Sequence, residues 1–164
     1  MFQSTVIYDF DTSSNISDWR IVNDGVMGGR STSSFELTKE YHALFSGHVS
    51  LKNYGGFASV MHQTALKLTP NQKAIVLKLK GDGKTYQFRL KSSNRQAHSY
   101  IQSFSTTGEW QTIRLPLEDF AASYRGRMLD IPNFNFDTIE EVRFLIANKK
   151  EEDFALLIDS IHIM

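Results

Sequence analysis

Apolar and polar residues alternate with a period of two along much of this chain, the pattern of strands that bury one face. Ile75, Leu77 and Leu79 alternate with Val76, Lys78 and Lys80. After Gly81-Asp82-Gly83-Lys84, Tyr86, Phe88 and Leu90 alternate with Gln87, Arg89 and Lys91. Two such runs around an Asp-Gly turn signal predict an antiparallel hairpin with one face in the core. The same reasoning predicts strands over 5–10, 19–22, 33–37, 43–51, 56–62, 98–104, 110–115, 142–147 and 154–163. The last run is apolar at consecutive positions, which predicts a central strand covered on both sides. Helix signals are confined to 117–122 and 137–141, a turn or two each, with Asp137 or Thr138 as a cap for the second.

About ten strands, with turn signals roughly every 8–12 residues, predict an all-β sandwich or barrel. No strand alternates with a long helix, which excludes a doubly wound α/β fold. The 164 residues contain only three prolines and no Ser/Gly-rich or low-complexity stretch, so the chain reads as a single domain spanning 1–164. Hydrophobic residues make up 41%, enough for a sizeable core.

Charge and composition then narrow the function. Eighteen Lys and Arg balance eighteen Asp and Glu. A formal net charge of zero argues against a general nucleic-acid binder or a polybasic membrane-surface domain. With no cysteine, disulfide scaffolds, thiolate zinc sites and cysteine nucleophiles are excluded. The first residues carry no basic leader and no apolar h-region, and no apolar run approaches the length of a bilayer span. The expectation is a cytoplasmic protein without direct membrane insertion.

The most unusual stretch is Asn23-Asp24-Gly25-Val26-Met27-Gly28-Gly29-Arg30-Ser31. Its glycines miss the dinucleotide fingerprint, and no Gly-Lys-Ser/Thr follows. Two readings stand: a tight irregular connection, or a backbone-lined binding loop in which Asn23, Asp24 and Ser31 supply polar groups beside Gly25, Gly28 and Gly29. Asn53, Gly55 and Gly56 form a second such stretch, either a bulged turn entering a buried strand or a loop packed beside the first and sharing its site. Arg125-Gly126-Arg127 presents two guanidiniums, for an anion or for carboxylates of the chain itself. Gln87 and Arg89 on one strand and Tyr100 and Gln102 on its neighbour suggest a binding surface on a sheet face, or a solvated one. For a sugar, Tyr100 and Phe104 would serve as stacking platforms and Gln87, Arg89 and Gln102 as hydroxyl partners. The five histidines have neither HxH nor HExxH spacing, and no nucleophile elbow occurs. The sequence therefore predicts no catalytic residues, no metal and no cofactor.

These segments together resemble the complex I intermediate-associated protein family, whose mitochondrial members assist assembly of NADH:ubiquinone oxidoreductase. The resemblance runs through Trp19 and the Asn23–Ser31 stretch, then Phe45-Ser46-Gly47-His48-Val49-Ser50-Leu51 and Asn53-Tyr54-Gly55-Gly56-Phe57-Ala58-Ser59. It continues in Lys80-Gly81-Asp82-Gly83-Lys84-Thr85-Tyr86, Glu109-Trp110 with Leu115-Pro116, and Arg125-Gly126-Arg127. It implies a galactose-binding-like jelly-roll β-sandwich with one or two short helical turns, an architecture shared with several carbohydrate-binding modules. It transfers no catalytic residues. The implied role is a non-catalytic protein-interaction module, assembly-factor or chaperone-like, with respiratory-complex subunits as partners. A carbohydrate- or small-ligand-binding module is the alternative. Mitochondrial members carry a presequence and extension, and some plant relatives a dinucleotide-binding domain. Neither pattern is seen here, so the resemblance is to a compact bacterial-type member, and NAD(P) binding is not implied.

Overall fold

A computed structural model of the protein describes residues 4–12 and 14–164. Thirteen strands occur among them: β1 (Thr5–Asp9), β2 (Trp19–Ile21), β3 (Thr32–Leu37), β4 (Ala43–Val49), β5 (Ala58–Lys67), β6 (Ala74–Lys80), β7 (Thr85–Lys91), β8 (Ser99–Ser105), β9 (Trp110–Pro116), β10 (Ala121–Tyr124), β11 (Arg127–Met128), β12 (Thr138–Ile146) and β13 (Glu152–Ile163). They form two sheets. One has the order β3-β4-β13-β6-β9, with β1 also on β13; the other runs β11-β10-β8-β7-β12-β5-β2. All pairings are antiparallel. The helical content is four short 3₁₀ turns. This is a galactose-binding-like jelly-roll sandwich.

The core lies between the sheets because each strand turns its apolar set inward. Phe45, Leu77, Leu79, Leu156 and Ile158 from the first sheet meet Val60, Tyr86, Phe88, Val142 and Phe144 from the second. Rings bridge the layers: Trp19 packs 5.3 Å from Phe35, and Tyr86 6.4 Å from Phe154, centroid to centroid. Such ring pairs add roughly 0.5–1.5 kcal/mol each beyond area burial.

Four expectations need correction. The runs at 75–79 and 86–90 bury their alternating residues, but they do not form a hairpin. β6 pairs with β13 and β9, whereas β7 pairs with β8 and β12. The Gly81–Lys84 segment instead crosses from one sheet to the other. Asp82 holds the crossing: its carboxylate accepts from Tyr86 Oη (2.9 Å), Ala155 N (2.8 Å) and Lys84 N (3.2 Å). Burial, followed by the Asp82 charge, pushes the Tyr86 phenol up, so it stays a proton donor.

The segment 137–141 is not helical but opens β12. Ile139 and Val142 both face the core although three residues apart, because the pairing with β5 shifts register between Ile139 and Glu141. That spacing imitates a helix in the sequence. The segment 117–122 divides: Leu117–Asp119 is a 3₁₀ turn, and the chain then enters β10. β13 is central through its pairing on both edges, yet only one face is covered. Phe154, Leu156 and Ile158 are buried, while Asp153 and Ala155 are exposed.

Candidate functional site

Asn23 and the turn after it bring the two glycine stretches together. Asn23 is extended, Asp24–Met27 forms a 3₁₀ turn, and Gly28 closes it at φ 89°, a conformation that a side chain resists. The Gly29 N–H donates to Asp24 O at 2.9 Å. The Asp24 side chain folds back under the loop and is only 1% exposed. Its Oδ1 accepts from Ser31 N (3.0 Å), and its Oδ2 from Ser31 Oγ (2.6 Å), Gly56 N (2.7 Å) and Phe57 N (3.3 Å). Ser31 Oγ in turn accepts from Ser50 N at 2.9 Å. Asn23 Oδ1 extends the network, accepting from Ser33 Oγ and Ser59 N.

Two glycines are required by this carboxylate. A Cβ on Gly29 would collide with the Asp24 carboxyl, and one on Gly55 would lie 2.5 Å from its Oδ2 and 2.9 Å from Ser50 O. Gly25 has open space around it. Asn53 is exposed at the tip of a 3₁₀ turn with φ 55° and stays outside the network. The second reading of the 53–56 stretch, a loop packed against the first, is the arrangement found. The cluster made by Asn23, Asp24, Gly29, Ser31, Gly55 and Gly56 is a staple joining two loops.

Burial alone would raise the Asp24 pKa. The hydrogen bonds from Ser31, Gly56 and Phe57 outweigh it and hold the carboxyl below its usual value. The folded state therefore favours the charged form. That stabilisation is complete above the unfolded pKa of about 3.9 and is lost as the pH falls through the lower folded value. Melting wild type and Asp24→Asn side by side should show a wide gap at pH 7 that narrows as the pH is taken below the unfolded value.

The sheet-face residues separate by strand parity. Phe88 pairs with Gln102 and Leu90 with Tyr100, so Tyr100 and Gln102 turn inward, and Phe104 follows beside Tyr86. Gln102 donates to Pro116 O at 3.1 Å, and Tyr100 packs 5.4 Å from Phe134. Gln87 and Arg89 occupy the opposite, outer face, with Arg89 Nε 3.0 Å from Gln87 Oε1. The sequence grouping of Tyr100 and Gln102 with Arg89 on one face thus fails. Adjacent strands carry the same face only in register, and the sequence does not state the register.

The outer face contains residues the sequence reading passed over. Register aligns Arg20 (β2), Met61 (β5), Arg143 (β12), Arg89 (β7) and Ile101 (β8) in one row. Arg20 and Arg143 each point a nitrogen at Met61 Sδ, both at 3.4 Å. Glu141 Oε2 lies 3.6 Å from Arg143. Burial, then the neighbouring Arg143 charge, lowers the Arg89 pKa to about 10. Nothing in one strand's sequence marks this row, because each arginine comes from a different strand.

Arg125 and Arg127 sit at a third place. They flank Gly126 in the tight turn joining β10 to β11, at the edge of the seven-stranded sheet. Arg125 (φ 51°) and Gly126 (φ 78°) both take left-handed backbone, the geometry of a two-residue hairpin turn. Both arginines are exposed, and among the described residues neither forms an ion pair. Arg125 lies over the Tyr124 ring at 5.3 Å. Tyr124, Met128, Ile131 and Phe136 are exposed, Met128 at 59%. Phe136 also lines a cavity of about 660 Å³ with Leu68, Leu117 and Phe134 and with the charged residues Lys67, Lys73, Arg114, Glu118 and Asp137.

Among the described residues no group of three or more His, Asp or Glu could hold a metal, and no helix is long and apolar enough to cross a membrane. Comparison with known proteins places the chain firmly. The family model for complex I intermediate-associated protein 30 matches residues 8–158. Complex I intermediate-associated protein 30, mitochondrial, of Mus musculus is 23% identical over 186 residues, covering 99% of this chain and 57% of the mouse protein. An uncharacterised Schizosaccharomyces pombe protein is 29% identical, covering 88% of this chain and 76% of its own length. The chain spans little more than half the length of its mouse and Caenorhabditis relatives. Among solved structures, a family 11 carbohydrate-binding module of a Clostridium thermocellum cellulase superposes with a TM-score of 0.72, 17% identity, and coverage of 100% of this chain and 95% of that one. At that identity the likeness concerns the fold.

Proposed function

Because the chain belongs to the complex I intermediate-associated protein 30 family, we propose that it acts as a non-catalytic docking module in assembly of a respiratory complex, with subunits of NADH:ubiquinone oxidoreductase as its partners. The observation that carries this reading is the surface at 124–136. Tyr124, Met128, Ile131 and Phe136 are exposed along this stretch, Arg125 and Arg127 form no ion pair among the described residues, and Phe136 lines the cavity. Apolar anchors rimmed by arginine are the composition of protein interfaces. A two-residue edge strand also leaves backbone groups at the sheet margin open to a partner.

The carbohydrate reading draws support from the shared architecture alone. A sugar site needs a ring platform, and the exposed ring on the strands of the seven-stranded sheet is Tyr124 at its edge. Tyr86, Phe88, Tyr100, Phe104 and Phe144 all face the core.

The test is affinity capture from native lysate with mass spectrometry. Wild type should recover subunits of NADH:ubiquinone oxidoreductase. A Met128→Ser/Ile131→Ser double variant should lose at least about tenfold of that recovery, as the loss of two interface anchors implies. Both side chains are exposed, so the melting temperature should not move by more than a few degrees. Equal recovery by the two proteins would remove this surface from the account.

A further inference from the structure

The arginines on the outer face of the seven-stranded sheet outnumber the carboxylates that neutralise them, although Arg143 also donates to Ser59 Oγ at 3.4 Å. Arg143 and Arg89 stand directly opposite each other on β12 and β7. Like charges so placed destabilise a sheet. Arg20 adds a third guanidinium, which shares the Met61 sulfur with Arg143. Among the described residues, Glu141 is the one carboxylate in an ion pair with the row, through Arg143, and its charge also acts on Arg89. Arg89 has an amide oxygen for a partner, and the buried Arg143 Nε has none. Burial lowers the pKa of both Arg89 and Arg143; the Arg143 charge adds to this at Arg89, and at Arg143 the Glu141 carboxylate opposes it while the Arg20 charge adds to it. The face is nonetheless reachable: Gln87, Arg89 and Ile101 retain partial exposure, and a cavity of about 270 Å³ opens beside Arg20 and Met61. Asp18 also lines that cavity, while its carboxylate accepts from Tyr8 Oη at 2.8 Å.

The shape of the positive charge selects the ligand. With strands about 4.8 Å apart, the row from Arg20 to Arg89 spans roughly 14 Å. Arg20 and Arg143 converge on the Met61 sulfur, so one small anion can meet those two, but engaging Arg89 as well takes a ligand with more than one anionic group. Two carboxylates on alternate residues of an extended peptide stand about 7 Å apart, far enough for one to meet the Arg20–Arg143 end of the row and the other Arg89. Guanidinium forks grip carboxylates in two parallel hydrogen bonds. The absence of outward-facing rings on these strands disfavours a neutral sugar.

We propose that Arg20, Arg143 and Arg89 form a binding site for an acidic protein segment presenting alternate Glu or Asp side chains. This site lies apart from the 124–136 docking surface and does not depend on it.

The test is fluorescence anisotropy on the full chain with a labelled peptide of alternating Glu and Ser. The parallel probes are its Gln/Ser analogue, inorganic phosphate, a galacturonate trimer and cellotetraose. The acidic peptide should bind, the Gln peptide at least tenfold more weakly, and affinity should fall steeply with salt. Arg89→Met should lose at least tenfold in affinity while its melting temperature stays equal or rises, since a partly buried, repelled charge has been removed. Arg89→Lys keeps the charge but not the fork and should fall between. An acidic peptide that does not bind at millimolar concentration, or that binds Arg89→Met as well as wild type, overturns the proposal. So does tighter binding of phosphate, galacturonate or cellotetraose than of the acidic peptide. A positive result here with failed subunit capture would reject the assembly role and leave this site standing.

Discussion

Replacing Asp24 with alanine is expected to cost about 3–5 kcal/mol of stability, measured by urea unfolding. The carboxylate is buried and accepts four hydrogen bonds, three of them from backbone N–H groups of residues 31, 56 and 57. Alanine leaves those donors without their acceptor, at a site buried at Ser31 and part-buried at Gly56 and Phe57. Each orphaned buried donor costs about 1–3 kcal/mol, and hydrogen bonds to a charged acceptor sit at the high end. The terms are not additive, because the loops can relax once the staple is gone. Ser31→Ala removes one donor and leaves the Ser50 N–H without its acceptor but keeps the carboxylate, so it should cost less than Asp24→Ala. A larger loss for Ser31→Ala than for Asp24→Ala would contradict the assignment of Asp24 as the hub.

The second large effect falls on the crossing between the sheets. Asp82→Ala should cost about 2–4 kcal/mol, again by urea unfolding. Its carboxylate serves the Tyr86 hydroxyl, the Ala155 N–H in the neighbouring central strand and the Lys84 N–H. Loss of the acceptor strands the Tyr86 hydroxyl, whose residue is otherwise fully buried. Tyr86→Phe removes the donor along with the need for a partner and should cost less. In the double variant the two losses should fall short of their sum, the mark of a direct interaction. Strict additivity would show that the Tyr86–Asp82 contact contributes nothing.

These two aspartates show what the sequence states and what it withholds. Alternation at 75–80 and 86–91 reveals which residues enter the core, since the period of a strand is local. It does not reveal that β6 and β7 belong to different sheets. An Asp-Gly turn marks a change of direction, and the choice between hairpin and crossing is made by contacts with Ala155 and Thr106, distant in sequence. The same limit explains 137–141, where a register shift imitates helical spacing. The glycine stretches were recognisable as special through their composition. That both are held by Asp24 is a tertiary fact, as is the arginine row drawn from three strands. Tyr100 and Gln102 were misplaced relative to Arg89 for want of register alone. The motifs spread along the chain were enough to point to the family, because they combine turn, staple and edge features that one strand pattern does not contain.

The central claim is that the 124–136 edge contacts a respiratory-complex subunit. It is tested most directly by a photo-crosslinking residue placed at Met128, with a second protein carrying it at Lys39. That control position is an exposed residue on the turn between β3 and β4, in the other sheet. After irradiation in native lysate, the account predicts a crosslink from position 128 to a subunit of NADH:ubiquinone oxidoreductase and none from position 39. Crosslinks of equal yield from both positions, or none to such a subunit from position 128, would contradict it.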